Sequence, residues 1–262
     1  MMKDIFNMKN KVVLITGGNG HLGKAMCEIL CEYGANLIIA SRNNQKNLVF
    51  KKELEYRFNG QVKIIELDIS NGNQVEKMIE SVIIEFGKID VLINNAYYGA
   101  GSEFLSMKED EWYKGIDGSI NACFRMTQSV LKHMKDKQYG KIINIASMYG
   151  LVAPDVSIYE DNNFYNPANY GVGKAGIIQF TKYIAAVYGK FGITCNTISP
   201  GPFPSPTVQN DQDFIDKLTK RVPLERIGIP DDLKGAVLLL ASDASGYING
   251  ANISIDGGWT IW

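Results

Sequence analysis

Short runs rich in valine and isoleucine alternate along the chain with segments whose apolar residues recur every three or four positions. The β-type runs fall at 11–16, 36–40, 62–66, 90–93, 141–146, 193–199 and 252–255. Most are continuously apolar rather than alternating, the pattern of strands covered on both faces. Between the first two, Leu22, Ala25, Met26, Ile29, Leu30 and Tyr33 mark one face of a helix that Gly34 ends. Helical spacing returns at 73–86, 109–134, 168–188 and 231–241. Alternating β and α units predict an α/β fold, a doubly wound parallel sheet of seven strands with helices on both faces. No repeat or polar linker divides the chain, so 1–262 reads as a single domain with 1–9 as an N-terminal extension. Two long stretches, 152–167 and 201–213, break the rhythm. Each follows a strand, so each should emerge at the carboxyl edge of the sheet, where such folds bind ligands, and they are expected to be substrate-site loops.

The 262 residues carry 27 Lys+Arg against 28 Asp+Glu, a formal charge of −1, and are 45 % hydrophobic. This balance suits a soluble globular domain and argues against a nucleic-acid partner, which would need clustered positive charge. No run of about 18 apolar residues is present to span a membrane, and the opening Met1-Met2-Lys3-Asp4-Ile5-Phe6-Asn7 lacks the apolar core of a secretion signal. A cytoplasmic protein without membrane contact is the expectation. Cys27, Cys31, Cys123 and Cys195 are too scattered for a disulfide framework and read as reduced core residues. His21 and His133 are the only histidines, and no metal-ligand set accompanies them. Glycine alone is unusual, at 26 residues, so its placement matters.

The first strand runs directly into Gly17-Gly18-Asn19-Gly20-His21-Leu22-Gly23 and then a helix. Glycines let the backbone approach a ligand closely, and the free N–H groups of a helix start favour negative charge. That order suits the pyrophosphate of a dinucleotide. An ordinary tight turn with spare glycines would look the same, so the rest of the chain decides.

From Lys9 to the C-terminus the sequence resembles the short-chain dehydrogenase/reductase family, in its single-domain branch. The likeness rests on motifs in order: the glycine turn, Leu67-Asp68-Ile69, Asn94-Asn95-Ala96 and Asn121. After these come Ser147, Tyr170-Gly171-Val172-Gly173-Lys174, Asn196-Thr197-Ile198-Ser199-Pro200-Gly201 and Asp256-Gly257-Gly258. The resemblance implies a Rossmann-type fold and hydride transfer between a nicotinamide cofactor and a carbonyl or secondary alcohol. It assigns proton transfer to Tyr170, the nicotinamide ribose to Lys174 (with Tyr170 beside it), the reacting oxygen to Ser147, and a relay water to Asn121. Residues four apart share one helix face, so Tyr170 and Lys174 should point into one cleft. A free tyrosine titrates near pH ~10, and a neighbouring ammonium is expected to lower that value. Around the cofactor the resemblance implies Gly17, Asn19, Gly20, His21, Leu22 and Gly23 at the pyrophosphate. It places Asp68 and Ile69 at the adenine, and Asn94 near the adenosine ribose. Pro200, Gly201 and Ser205 fall at the nicotinamide carboxamide, and Asn95, Ala96 and Phe203 are further contacts.

Three departures from the family pattern stand out. The turn reads TGxxGxxG, which puts His21 where a glycine is usual, and its side chain is expected to point away from the cofactor. Tyr97 replaces the glycine of an NNAG motif. Ser147 and Tyr170 stand 23 residues apart, a longer separation than the family usually has.

The second strand ends in Ser41-Arg42-Asn43, with no carboxylate before Glu53. An acidic residue there would bind a ribose hydroxyl, whereas an arginine suits a 2′-phosphate, so NADP(H) is favoured over NAD(H). The insert supplies Asp155, Tyr159, Glu160, Asp161, Asn162, Asn163, Phe164, Tyr165 and Asn166 between two catalytic positions, and should border the cleft. Aromatic faces among amide and carboxylate groups suit a polyhydroxylated small molecule better than a steroid or acyl chain. The 201–213 loop, with Pro202, Pro204 and Pro206, should form the opposing lid. Together with the Gly-Gly-Trp-Thr-Ile-Trp tail, the insert is similar to family members of bacterial surface-sugar and flagellin glycan modification. The alternatives are a reductase of a 3-oxoacyl or other small carbonyl substrate and a non-catalytic dinucleotide-binding regulator. Trp259, Ile261 and Trp262 form an apolar finish that is costly in water. Family members usually place this region at a subunit interface, so a homodimer or homotetramer is expected, with intramolecular packing the other outcome.

Overall fold

The computed structural model describes residues 4–58, 61–160, 162 and 164–262. Residues 1–3 of the N-terminal extension, and Asp161 and Asn163 of the insert, lie outside the described residues. Seven parallel strands, β1 (Val12–Thr16), β2 (Asn36–Ser41), β3 (Val62–Glu66), β4 (Val91–Asn94), β5 (Gly140–Ile145), β6 (Ile193–Pro200) and β7 (Asn252–Ile255), pair in the order β3-β2-β1-β4-β5-β6-β7. Every expected strand is present, with bounds within one residue of those read from the apolar runs. The helices are α1 (Gly23–Glu32), α2 (Asn44–Arg57), α3 (Gly72–Phe86), α4 (Glu109–Ile116), α5 (Ala122–Lys137), α6 (Val156–Tyr159), α7 (Ala168–Tyr188), α8 (Gln212–Arg221) and α9 (Lys234–Ala241).

The continuous apolar runs are explained by two cores, one on each face of the sheet. Val13, Ile15, Leu37, Ile39 and Ile143 pack with Met26 and Leu30 of α1 and Val237 and Leu240 of α9. Their sequence neighbours Val12, Leu14, Ile38, Leu92 and Ile142 face the other way, onto Val75 and Ile79 of α3 and Met126 and Val130 of α5. Each fully buried side chain of this size stabilises the fold by roughly 1.5–3 kcal/mol relative to exposure. The chain winds outward from β1 to β3 and then returns to place β4 on the other side of β1. That reversal opens a crevice at the carboxyl ends of β1 and β4, and the site lies there.

The elements that sequence periodicity missed have local causes. Helix α2 carries no apolar stripe, since only Asn47, Phe50 and Leu54 are buried, and it is set instead by Asn43, whose side chain accepts from the Lys46 N–H. The 109–134 stretch is not one helix: a π-helical turn, Asp117–Asn121, separates α4 from α5. Gly118 sits so close under the neighbouring loop that a Cβ there would lie 1.5 Å from the Tyr98 carbonyl oxygen. The wider turn changes which residues face inward from that point. The 201–213 loop ends early because Asp211 caps α8, accepting from the Phe214 N–H at 3.0 Å. Asp155 likewise starts the one-turn α6 inside the insert.

All four cysteines are free and buried. Among the described residues no helix is long and apolar enough to cross a membrane, and no His/Cys/Asp/Glu group converges as a metal site. Adding a Cβ at Gly118 should destabilise the protein by roughly 1–3 kcal/mol through overpacking. By contrast, Gly176→Ala, whose Cβ would meet nothing closer than 3.6 Å, should be neutral or stabilising by up to about 1 kcal/mol. Thermal melts of the two variants check this, and equal melting temperatures would contradict it.

Candidate active site

A cleft of about 620 Å³ runs along the carboxyl ends of the strands from Arg42 to Gly201, and a second cavity of about 590 Å³ adjoins it. Tyr97, Ser147, Tyr170 and Gly201 line both, so the expected catalytic pair stands where the two spaces meet.

The glycine turn forms one end of the larger cleft. Gly17 adopts the left-handed conformation at φ +67°, and a Cβ on Gly23 would lie 2.3 Å from the Gly17 carbonyl oxygen. These two positions therefore need glycine for the turn to close onto the start of α1. Asn95 braces it from β4, its Nδ2 donating to the carbonyls of Thr16 and Gly17 at 3.0 Å each. The Thr16 hydroxyl accepts from the N–H groups of Asn95 and Ala96. Asn19, Gly20, His21, Leu22, Gly23 and Ala96 line this end as expected. His21 belongs to the cleft wall. Leu22 lines the cleft and also packs against the core. The His21 Nε2 is shut off from solvent without a hydrogen-bond partner.

Beside the turn, at the end of β2, the Ser41 hydroxyl donates to Asn47 Oδ1 at 2.7 Å, and Arg42 and Asn43 line the wall. No carboxylate is among the described residues lining the cleft. Ile69, Pro200 and Phe203 also line it, but three expected contacts do not. Asp68 turns aside because its carboxylate accepts from the Ser70 N–H at 2.9 Å. The Ser70 hydrogen bonds, and then the nearby Arg42 charge, hold that carboxyl below the usual range. Leu67 takes its place on the wall. Ser205 is held in a turn, its carbonyl accepting from the Gln209 N–H. Asn94 faces the core, where its Nδ2 donates to Asn144 Oδ1 at 2.8 Å and Thr127 Oγ1 at 3.0 Å.

Ser147 follows β5, and its Oγ accepts from the Tyr149 N–H at 3.2 Å. Tyr170 occupies the first turn of α7, with Lys174 one turn on. The Lys174 ammonium is fully enclosed, donates to the Ile145 carbonyl at 2.8 Å, and lies 5.5 Å from the Tyr170 ring centre and 5.6 Å from that of Tyr97. Burial pulls it down to about 8. The expected lowering of the Tyr170 phenol is not seen. Burial pushes it up, with the Ser147 hydroxyl opposing, because Lys174 is aimed at the Ile145 carbonyl beneath the ring.

Asn121 is also not where the expectation placed it. It is exposed and lines neither cavity, and its Nδ2 donates at 3.1 Å to Asp117, which also holds Tyr98 and Arg125. The π turn puts Ser119 on the inner face instead, bordering with Lys174 and Asn94 a void of about 10 Å³. Helical counting from sequence could not reveal that shift. Tyr97, visible in the sequence only as a missing glycine, packs its ring edge-on to Tyr170 at 5.3 Å.

The insert packs on α8 beside the second cavity, to whose lining the 201–213 loop gives only Gly201 among the described residues. Phe164 of the insert stacks on Phe214 of α8 at 4.4 Å, Tyr159 lies 5.8 Å from the same ring, and Asp155 pairs with Arg221 at 3.3 Å. Arg221 also covers the rings of Trp259 and Trp262 at 5.5 and 5.3 Å. Trp259 is buried within the chain, while Ile261 and Trp262 are 78 % and 68 % exposed.

Comparison with known proteins agrees with this geometry. A family model described as enoyl-(acyl carrier protein) reductase matches residues 19–260. The chain is 32 % identical over 254 residues to the 3-oxoacyl-(acyl-carrier-protein) reductase FabG of Vibrio cholerae, covering 96 % of this chain and 98 % of that one. It is also 32 % identical to a 2-dehydro-3-deoxy-D-gluconate 5-dehydrogenase of Dickeya dadantii, covering 99 % of each. A gluconate 5-dehydrogenase from Burkholderia cenocepacia in complex with NADP and tartrate superposes with a TM-score of 0.88, at 29 % identity over 99 % of this chain and 98 % of that one.

The buried ammonium has a consequence for stability. An unfolded lysine keeps its proton to about pH 10.4, whereas folded Lys174 releases it near 8. Between these values the unfolded chain binds more protons, so this group's contribution to stability rises with pH and its cost is greatest below pH 8. Lys174→Met should therefore be more stable than the parent at pH 7, by up to about 3 kcal/mol, and the gap should close by about pH 10.4. Paired melts across this range check it; a gap that widens with pH would contradict it.

Proposed function

The chain belongs to the short-chain dehydrogenase/reductase family, and from that premise we propose that it transfers a hydride between NADP(H) and a carbonyl or secondary alcohol of an uncharged, polyhydroxylated small molecule. As a family member it is an oxidoreductase acting on CH–OH groups. The observation that carries the finer reading is the position of Ser147 and Tyr170 at the junction of a dinucleotide-sized cleft and a second, uncharged cavity.

The residues of the first cleft fit the cofactor. Gly17 and Gly23 let the turn close against Ala96 and the start of α1, which offers N–H groups to a pyrophosphate. Arg42 and Ser41 can hold a 2′-phosphate, and no carboxylate is among the described residues lining the cleft there. NAD(H) fits the same cradle without that contact. When bound, the nicotinamide supplies or accepts the hydride. Tyr170, kept protonated by burial, gives its proton to the carbonyl oxygen in reduction and takes it back in oxidation. Ser147 hydrogen-bonds that oxygen, and Lys174 holds the ribose from below.

The second cavity is lined by Tyr97, Tyr149, Phe164, Tyr165 and Asn166, with no charged side chain among its described residues. A carboxylate would find no cation there, and a long acyl chain would face hydroxyl and amide groups. Rings offering flat faces beside polar tips suit a sugar-like molecule. The likeness to FabG keeps a 3-oxoacyl substrate as the second reading. The exposed Ile261 and Trp262 support self-association through the tail, as a homodimer or homotetramer.

Tyr170→Phe should lower ketone-reduction kcat by about 10²–10⁴, and fluorescence titration should show tighter binding of NADPH than of NADH, a preference that Arg42→Ala weakens. Full turnover by the Phe variant would overturn the mechanism, and tighter NADH binding would overturn the cofactor choice.

A further inference from the structure

Tyr149 and Tyr159 are not needed for hydride or proton transfer, yet their hydroxyl oxygens lie 2.5 Å apart in a direct hydrogen bond. Tyr149 is two residues beyond Ser147, is 9 % exposed, and lines the same cavity as Ser147 and Tyr170. Tyr159 arrives from α6 of the insert and is held by the Phe214 ring of α8. The insert thus brings a second phenol onto Tyr149, whose side of the cavity also holds the reacting groups. We propose that the Tyr149–Tyr159 hydroxyl pair is a specificity site that selects substrates carrying a free hydroxyl close to the reacting carbon. This deepens the reading given under Proposed function and rests on it.

The reasoning is one of hydrogen-bond valence. Two phenols hold two protons, and their mutual bond uses one. The accepting hydroxyl keeps its own proton, for which the described residues provide no further partner. The pair therefore presents one donor together with acceptor lone pairs. An alcohol, which donates and accepts at one oxygen, matches both. A carboxylate could use only the donor, and the cavity has no cation for it. A methylene group would leave the buried hydroxyl unmatched, and a site built to bond a hydroxyl discriminates against analogues that lack it. Burial pushes both phenols up, so the pair is neutral at ordinary pH. The insert also gains a reason for its length, since without Tyr159 the Tyr149 hydroxyl would be buried alone.

The test is NADPH-dependent reduction of cyclohexanone, 2-hydroxycyclohexanone and 3-hydroxycyclohexanone by the parent, Tyr149→Phe, Tyr159→Phe and the double variant. The quantity read is the ratio of kcat/KM for the better hydroxyketone to that for cyclohexanone. We expect a ratio of about tenfold or more in the parent, falling most of the way to unity in each single variant. The double variant should fall no further, because the pair acts as a unit. A merely structural pair would lower turnover of all three ketones together and leave the ratio as it was, which would overturn the proposal. So would a parent enzyme with no preference. Reduction of none of the ketones by a parent that binds NADPH would overturn the underlying substrate reading, and the role of the pair with it.

Discussion

One buried charge organises the site. The Lys174 ammonium has been taken out of water, and its hydrogen bond to a backbone acceptor is to the Ile145 carbonyl at the end of β5. Burying a cation is costly unless it is compensated, and here compensation comes from that carbonyl and from the faces of Tyr97 and Tyr170. Each partner fixes a different part of the molecule. Ile145 is set opposite Ile198 by the β5–β6 ladder, Tyr170 is carried one turn earlier on α7, and Tyr97 lies three residues beyond β4. The sheet register and the packing of α7 thus determine where the phenol meets the reacting carbon. The same enclosure keeps the phenol protonated in the unliganded protein. Stability given up at Lys174 is compensated by the two cores above and below the sheet.

The insert beside the second cavity follows a different logic. It buries its aromatics Tyr159 and Phe164 against Phe214 of α8, in a small cluster separate from the two sheet cores. Arg221 then ties this small aromatic cluster to the insert through Asp155 and to the tail through Trp259 and Trp262. The insert and the C-terminus are therefore mechanically linked, although far apart in sequence.

Sequence periodicity located the strands mostly because burial on both faces leaves an unbroken apolar run, whereas the edge strands β3 and β7 carry polar residues and showed through their isoleucines and valine. The glycine turn showed as a strand–turn–helix pattern, while Ser147, Tyr170 and Lys174 were assigned by the resemblance to the family and not by periodicity. Periodicity failed where local geometry departs from the regular period. The π turn exchanged Asn121 for Ser119 on the inner face, and its cause is a contact between Gly118 and Tyr98 that helical counting cannot see. Asp68 and Ser205 were lost to local backbone bonds, and Asn94 to a buried amide network. Helix α2 was hidden because it rests on the sheet through only a few side chains. The pairing of Tyr149 with Tyr159 depends on how the insert folds back, which no spacing rule reports.

The central claim is that a hydride passes directly to a carbonyl carbon held at the Ser147–Tyr170 junction. It is tested most directly by supplying NADPH deuterated at the transferring position of the nicotinamide, with 2-hydroxycyclohexanone as acceptor. Mass spectrometry and NMR would then follow the label. We expect one deuterium on the new carbinol carbon of the diol, in step with cofactor oxidation. Oxidation of the cofactor with no deuterium in the diol would contradict it.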